Sequence, residues 1–133
     1  MNDRILLVED NPLNVQLVTD LLEAAGFTVL QASTGEEALR IAREELPELI
    51  LMDISLPGMD GLAATKALRA DPLIRHLKVV ALTAHAMKGD EQIALRAGCD
   101  GYLAKPIDTR TFAKTIAAFL VGCKKRRNTT QPV

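Results

Sequence analysis

An α/β domain, a parallel sheet covered by helices on both faces, is the fold this sequence predicts. Three observations lead there. Short apolar runs alternate with helical patterns five times, the connections between them are short, and runs such as Val79-Val80-Ala81-Leu82 are apolar without a break. Strands joined through helices run parallel, and unbroken apolar strands are buried on both faces. At 133 residues the chain is one domain, long enough to bury about two thirds of the surface its unfolded form exposes.

Residues 4–9 read as the first strand. Asn11 then offers a helix N-cap with Pro12 at the first helical position, and Leu13, Leu17 and Leu21 with Val18, Leu22 and Ala25 form an apolar stripe that Gly26 terminates. Residues 27–32 are a second strand. Thr34 with Glu37 makes a capping box for a helix through Leu46, and Pro47 stops it. The third strand covers residues 48–53. Leu56-Pro57-Gly58-Met59-Asp60-Gly61 has turn chemistry throughout and leads into a helix over about 62–70, closed by Asp71-Pro72. Residues 78–83 form a fourth strand, 88–97 a weakly patterned helix ended by Gly98, and 101–104 a short fifth strand. Asp108 caps the last helix, where Phe112, Ile116, Phe119 and Leu120 share one face.

Composition removes several classes of function. Formal net charge is −1, but Lys124-Lys125-Arg126-Arg127 carries +4, which leaves −5 for residues 1–123. A mildly acidic domain without an aromatic platform for bases is no nucleic-acid module. Apolar runs are too short to span a membrane, and nothing resembles a secretory signal. Cys99 and Cys123 form no ligand-spaced cluster, which points to the cytoplasm and reduced thiols. The domain is expected over residues 1–122, with 123–133 a disordered basic tail.

Chemistry concentrates where strands end. Glu9 and Asp10 follow Ile5-Leu6-Leu7-Val8, Asp53 follows Leu49-Ile50-Leu51-Met52, and Lys105 follows Gly101-Tyr102-Leu103-Ala104. In an open α/β sheet, ligands bind beyond the carboxyl ends of the strands, where strand order reverses. Neighbouring strands would therefore gather all four side chains at one sheet edge. Singly, each has a plainer reading: Asp53 as a helix cap or turn former, Glu9-Asp10 as the start of a loop, Lys105 as a solvated edge lysine, Thr83 as a strand residue.

Over nearly its full length, to about Gly122, the chain resembles the receiver domain of two-component response regulators. The match runs through Val8-Glu9-Asp10-Asn11, Leu51-Met52-Asp53-Ile54-Ser55-Leu56-Pro57-Gly58-Met59-Asp60-Gly61, Leu82-Thr83-Ala84 and Lys105-Pro106, in that order. Single-domain regulators of cell division and the receivers of hybrid kinases look most similar, since Glu-Asp-Asn-Pro and Thr-Ala-His-Ala-Met recur there. The resemblance implies a flavodoxin-like (CheY-like) sheet of order 2-1-3-4-5 with five helices.

Asp53 would be the nucleophile that accepts a phosphoryl group as an aspartyl phosphate. Three crowded carboxylates repel each other and an incoming phosphate, so a cation must intervene. Mg²⁺ wants octahedral oxygen ligands, which Asp10 and Asp53 directly, Glu9 through water and the Ser55 carbonyl would supply. Lys105 would neutralise a phosphate oxygen, while Thr83 and the Ala84 main-chain N–H donate to another. By analogy with the family, Thr83 and Tyr102 form a switch that reshapes the face of the fourth helix, fifth strand and fifth helix, and the bond before Pro106 is cis.

The phosphoryl donor would be a histidine kinase or a histidine phosphotransfer protein, with slow loss of the group to water. Because the ten residues after Cys123 hold no effector domain, output is expected through binding a downstream protein, the chain itself being a monomer or weak dimer. Met1 close to the first strand favours an independent protein over part of a hybrid kinase. Rival readings fare worse. A small-molecule phosphatase of the haloacid dehalogenase kind would want Asp at position 55, which is Ser55, and a lid. A flavin or nucleotide carrier would want a Gly- or Ser/Thr-rich loop in place of Glu9-Asp10-Asn11. A docking module that works without phosphorylation would not need the acidic set. His76 and His85 lack metal-ligand spacing, Met52, Met59 and Met87 read as packing, and Cys123 as a buried thiol.

Overall fold

The computed structural model describes residues 3–54, 61–83, 90–104 and 108–129, with side chains at all of these except 83, 90, 91, 93, 94, 104 and 121–129. Strands and helices alternate: β1 (Arg4–Val8), α1 (Pro12–Ala24), β2 (Thr28–Ala32), α2 (Gly35–Glu45), β3 (Leu49–Asp53), α3 (Gly61–Arg69), β4 (Lys78–Thr83), α4 (Asp90–Ala97), β5 (Gly101–Ala104) and α5 (Phe112–Thr129). All four pairings are parallel and the sheet order is β2-β1-β3-β4-β5. This is the order the resemblance implies.

Strand alternation deals the apolar residues to two cores. Leu6, Val8, Ile50, Met52, Val79 and Ala81 point to one face, where Ala38, Leu39 and Ala42 of α2 and Ala64 and Leu68 of α3 cover them. Ile5, Leu7, Leu49, Leu51, Val80 and Leu82 point to the other, against Val18 and Leu22 of α1 and Phe112, Ile116 and Leu120 of α5. A residue every two positions on each side is the pleat's own period. Every residue of β3 is buried, as the central strand of a doubly covered sheet must be.

Local chemistry sets the ends of the elements. Asn11 Oδ1 accepts the N–H of Leu13 at 2.9 Å and of Asn14 at 3.4 Å, satisfying two of the unpaired donors at the start of α1. At its other end, Gly26 N–H donates to Glu23 O and Phe27 N–H to Leu22 O, both at 3.0 Å. Those two bonds are a Schellman motif, and Gly26 takes the positive φ of 95° it requires. Thr34 Oγ1 caps Glu37 N–H at 3.1 Å, while Glu37 Oε1 reaches back to Ser33 N–H at 2.8 Å. The reciprocal half of the capping box thus falls one residue before the cap. Asp108, the expected cap of α5, stands four residues before its first residue, Phe112; its Oδ1 accepts Arg110 N–H at 3.0 Å and its carbonyl Phe112 N–H at 2.9 Å, so it shapes the turn that leads into the helix.

Two expectations need correcting. Leu13 and Leu17 are 81% and 38% exposed, so the buried face of α1 is Val18 and Leu22, with Val15 and Leu21 partly covered. Two apolar rows run along this short helix, and the core takes only one. Helix α2 ends at Glu45 with Leu46 beyond it at φ 49°, a left-handed residue and not a further helical turn. Helix α5 runs from Phe112 to Thr129 and takes in Lys124-Lys125-Arg126-Arg127. Lys and Arg are good helix formers and suit the negative end of a helix dipole.

Candidate functional site

Strands β1 and β3 are neighbours in register, with Val8 opposite Met52, and β2 lies on the far side of β1. The chain therefore leaves β1 toward β2 in one direction and β3 in the other, and a cleft opens at that switch point. Glu9, Asp10 and Asp53 stand there. One carboxylate oxygen from each lies within 4.8 Å of the others. Glu9 and Asp53 are 2% and 3% exposed, whereas Asp10 is open to solvent.

Backbone bonds hold this cup in shape. Glu9 N–H donates to Ala32 O at 3.0 Å, and Ile54 N–H to Leu82 O at 3.1 Å, so the ladder extends one residue past each acid-bearing strand end. Glu9 Oε2 accepts the Asn11 N–H at 3.2 Å, which orients the longer side chain beside the cap of α1. A cleft of about 450 Å³ continues from the cup between α1 and the turn before α2, bordered by Glu9, Asp10, Gln16, Gln31 and Glu37.

Gly61 is a contributor that the sequence reading treats only as turn chemistry. A Cβ there would meet Asp53 O at 2.4 Å and Ile54 Cα at 2.6 Å, so α3 can begin against the Asp53 backbone only without a side chain. The fully buried Thr65 donates its hydroxyl to Gly61 O at 2.8 Å and receives the Cys99 thiol at 3.9 Å. Burial pushes the Cys99 thiol pKa up, with the Thr65 bond opposing it; Cys99 is a packed thiol and no nucleophile. The signal in the sequence was a glycine opening a helix eight residues after Asp53.

The remaining site residues divide. Leu82 pairs with Asp53 and Thr83 with Ala104, which sets the Thr83 backbone one step past Asp53 at the same sheet edge. Tyr102 is half-buried and packs against the core on the α2 and α3 side. Ser55, Ala84, Lys105 and Pro106 lie outside the described residues, as do His85, Met59 and Met87. Cys123 lies on α5, its side chain undescribed.

Whether the cup suits Mg²⁺ rests on its donors. Three carboxylates and no nitrogen or sulfur within the cluster match the all-oxygen preference of a hard divalent cation. Strand order and acidic switch point together define a flavodoxin-like α/β domain with a cup for such an ion. The chain belongs to the response regulator receiver domain family, whose sequence model matches residues 5–117. The polar-differentiation response regulator DivK of Brucella ovis is 48% identical over 120 residues, 90% of this chain and 98% of that protein. Among solved structures, the receiver domain of sensor histidine kinase PA1611 from Pseudomonas aeruginosa PAO1 is 36% identical with a TM-score of 0.83, over 91% of this chain and 99% of that one. It carries a magnesium ion coordinated in its active-site cleft. A CheY-like receiver from Methanospirillum hungatei JF-1 is 29% identical with a TM-score of 0.85, covering 95% and 99%.

Proposed function

We propose that this response regulator is a signalling switch that accepts a phosphoryl group on Asp53 with Mg²⁺ and changes what it binds. The observation that carries this is the convergence of Glu9, Asp10 and Asp53 within 4.8 Å, at the position where the fold binds ligands. Asp10 and Asp53 would hold the ion directly, Glu9 through water and Ser55 by its carbonyl. Bound there, Mg²⁺ supplies positive charge between the carboxylates and the incoming phosphate.

The chain's own residues do the rest. An Asp53 oxygen attacks phosphorus, an O–P bond forms, and the bond to the donor's imidazole nitrogen, or to acetate when acetyl phosphate is the donor, breaks. Lys105, Thr83 and the Ala84 N–H offset charge on the transferred group. Gly61 and Thr65 keep α3 against the Asp53 backbone, so the nucleophile does not drift as charge builds. Hydrolysis of the aspartyl phosphate then resets the switch, and no other substrate is turned over.

A histidine kinase or histidine phosphotransfer protein is the donor, and a downstream protein reads the α4, β5 and α5 face through Thr83 and Tyr102. The 48% identity to a polar-differentiation regulator over 98% of its length supports a regulator that works through protein partners. Reduced, buried Cys99 suits the cytoplasm. Moving such a switch from almost wholly inactive to almost wholly active requires about 5.5 kcal/mol of differential interaction with the phosphoryl group, a modest bias less. The test is incubation with acetyl phosphate and Mg²⁺. One phosphoryl mass, labile to base and hydroxylamine, should appear and be lost in Asp53→Ala; its absence from the wild type would end this reading.

A further inference from the structure

At the end of the sheet opposite the acidic cup lies a cavity of about 180 Å³ lined by Leu46, Pro47, Glu48, His76, Leu77 and Lys78. Lys78 opens β4 and is only 5% exposed. Among the described residues its ammonium has no hydrogen-bond or ion-pair partner. No fully sealed side-chain polar atom is left unbonded among the described residues, so this ammonium keeps an opening to solvent, and the cavity is the opening Lys78 lines. An ammonium has three donors, and one that reaches water only through such a cavity can pair with an anion that enters it.

The one acid in the cavity's lining, Glu48, is already engaged. Glu48 Oε2 accepts the Arg4 N–H at 3.3 Å and lies 3.9 Å from Arg4 Nε, on the β1 side of β3. Arg4 also donates to the carbonyls of Glu45 and Leu46 at the end of α2. Among the described residues at this corner, Glu45 and Glu48 are thus answered by Arg4, and Lys78 has no such partner. His76 is exposed and offers an N–H in either protonation state. Leu46, Pro47 and Leu77 give apolar walls, against which an ion pair is stronger than in open water.

The geometry points to a binding site for a small oxyanion, a carboxylate or a phosphate, paired to Lys78 with His76 at its rim. It is separated from the acidic cup by the four steps of β4 from Lys78 to Leu82, which pairs with Asp53, roughly 13 Å at the usual rise per residue, and needs no phosphoryl chemistry at Asp53. Room for several waters is room for either anion.

The test uses the full chain without Mg²⁺, observed by NMR at the Lys78 Cε and the amides of residues 76–79. Sodium phosphate and, separately, sodium acetate are titrated against sodium chloride at constant ionic strength. Saturable shifts with one or both anions, weakened at least tenfold in Lys78→Met and retained in Lys78→Arg, support the site and say which oxyanion it takes. Shifts that never saturate, or that persist unchanged in Lys78→Met, overturn it. So does a Glu48→Gln variant that, with no added anion, moves the Lys78 Cε resonance as far as the anion does, because Glu48 would then be the counter-ion. Should Lys78→Met fail to fold, Lys78→Gln takes its place. Gain of phosphoryl mass with acetyl phosphate is read separately, so either result leaves the Asp53 reading to its own test.

Discussion

A methyl group on Gly61 would sit 2.4 Å from the Asp53 carbonyl oxygen, well inside any van der Waals contact. Neither partner can yield by rotating a side chain, because the obstacle is backbone on a fully buried strand. Gly61→Ala must therefore move the start of α3 or the end of β3. Strain of this kind costs about 1–3 kcal/mol, and urea melts should show a loss of that size. The same displacement moves the nucleophile, so phosphorylation by acetyl phosphate should slow at least tenfold, since small misplacements are expensive in rate. A variant that lost stability but kept its rate would show that Gly61 serves the fold alone. Residues of this kind are hard to read in a sequence. Asp53, Glu9 and Asp10 announce themselves by charge at strand ends, whereas a glycine needed for a close approach looks like any turn glycine.

Among the helices, capping residues carried more information than apolar stripes. Asn11, Gly26 and Thr34 each cap or terminate as their chemistry requires, because a cap depends on one side chain and the few backbone groups beside it. The stripe of α1 misled because helical periodicity shows that two rows are apolar without showing which one the sheet covers. Leu13 and Leu17 stay outside, on the helix whose N-terminus adjoins the acidic cup. The α2 cap is the cleanest case to probe, since Thr34 Oγ1 serves the Glu37 N–H at 3.1 Å away from Asp53. Thr34→Ala should cost about 1 kcal/mol in urea melts. Amide exchange should rise most at residues 35–37, and phosphorylation by acetyl phosphate should be unchanged. Faster exchange spread evenly over the domain would show that the cap supports the whole fold and not the first turn of α2.

For the whole molecule, the acidic cup sets stability against readiness for the ion. Two of its three carboxylates are buried and all three lie within 4.8 Å, a distance at which two unit charges repel by a few kcal/mol at an effective dielectric of about 20. Parallel strands β1 and β3 hold them together because their hydrophobic runs pay for it elsewhere in the sheet. That burial was legible from the apolar runs, and the meeting of Glu9, Asp10 and Asp53 from their place at strand ends; the order of strands that makes β1 and β3 adjacent required the resemblance. Removing one charge should relieve the strain. In Mg²⁺-free buffer Asp53→Asn should be more stable than the wild type by about 1 kcal/mol, on the order of a single screened charge pair. Adding Mg²⁺ at ten times its dissociation constant should stabilise the wild type by about 1.4 kcal/mol through mass action. The variant, with one ligand changed from charged to neutral, should respond much less. Thermal melts across a Mg²⁺ series decide it, with Ca²⁺ at equal ionic strength as the control for a larger ion. Equal responses in the two proteins would mean that the ion binds away from Asp53, and a wild type more stable than Asp53→Asn without Mg²⁺ would mean that a positive group within the fold already balances the cup.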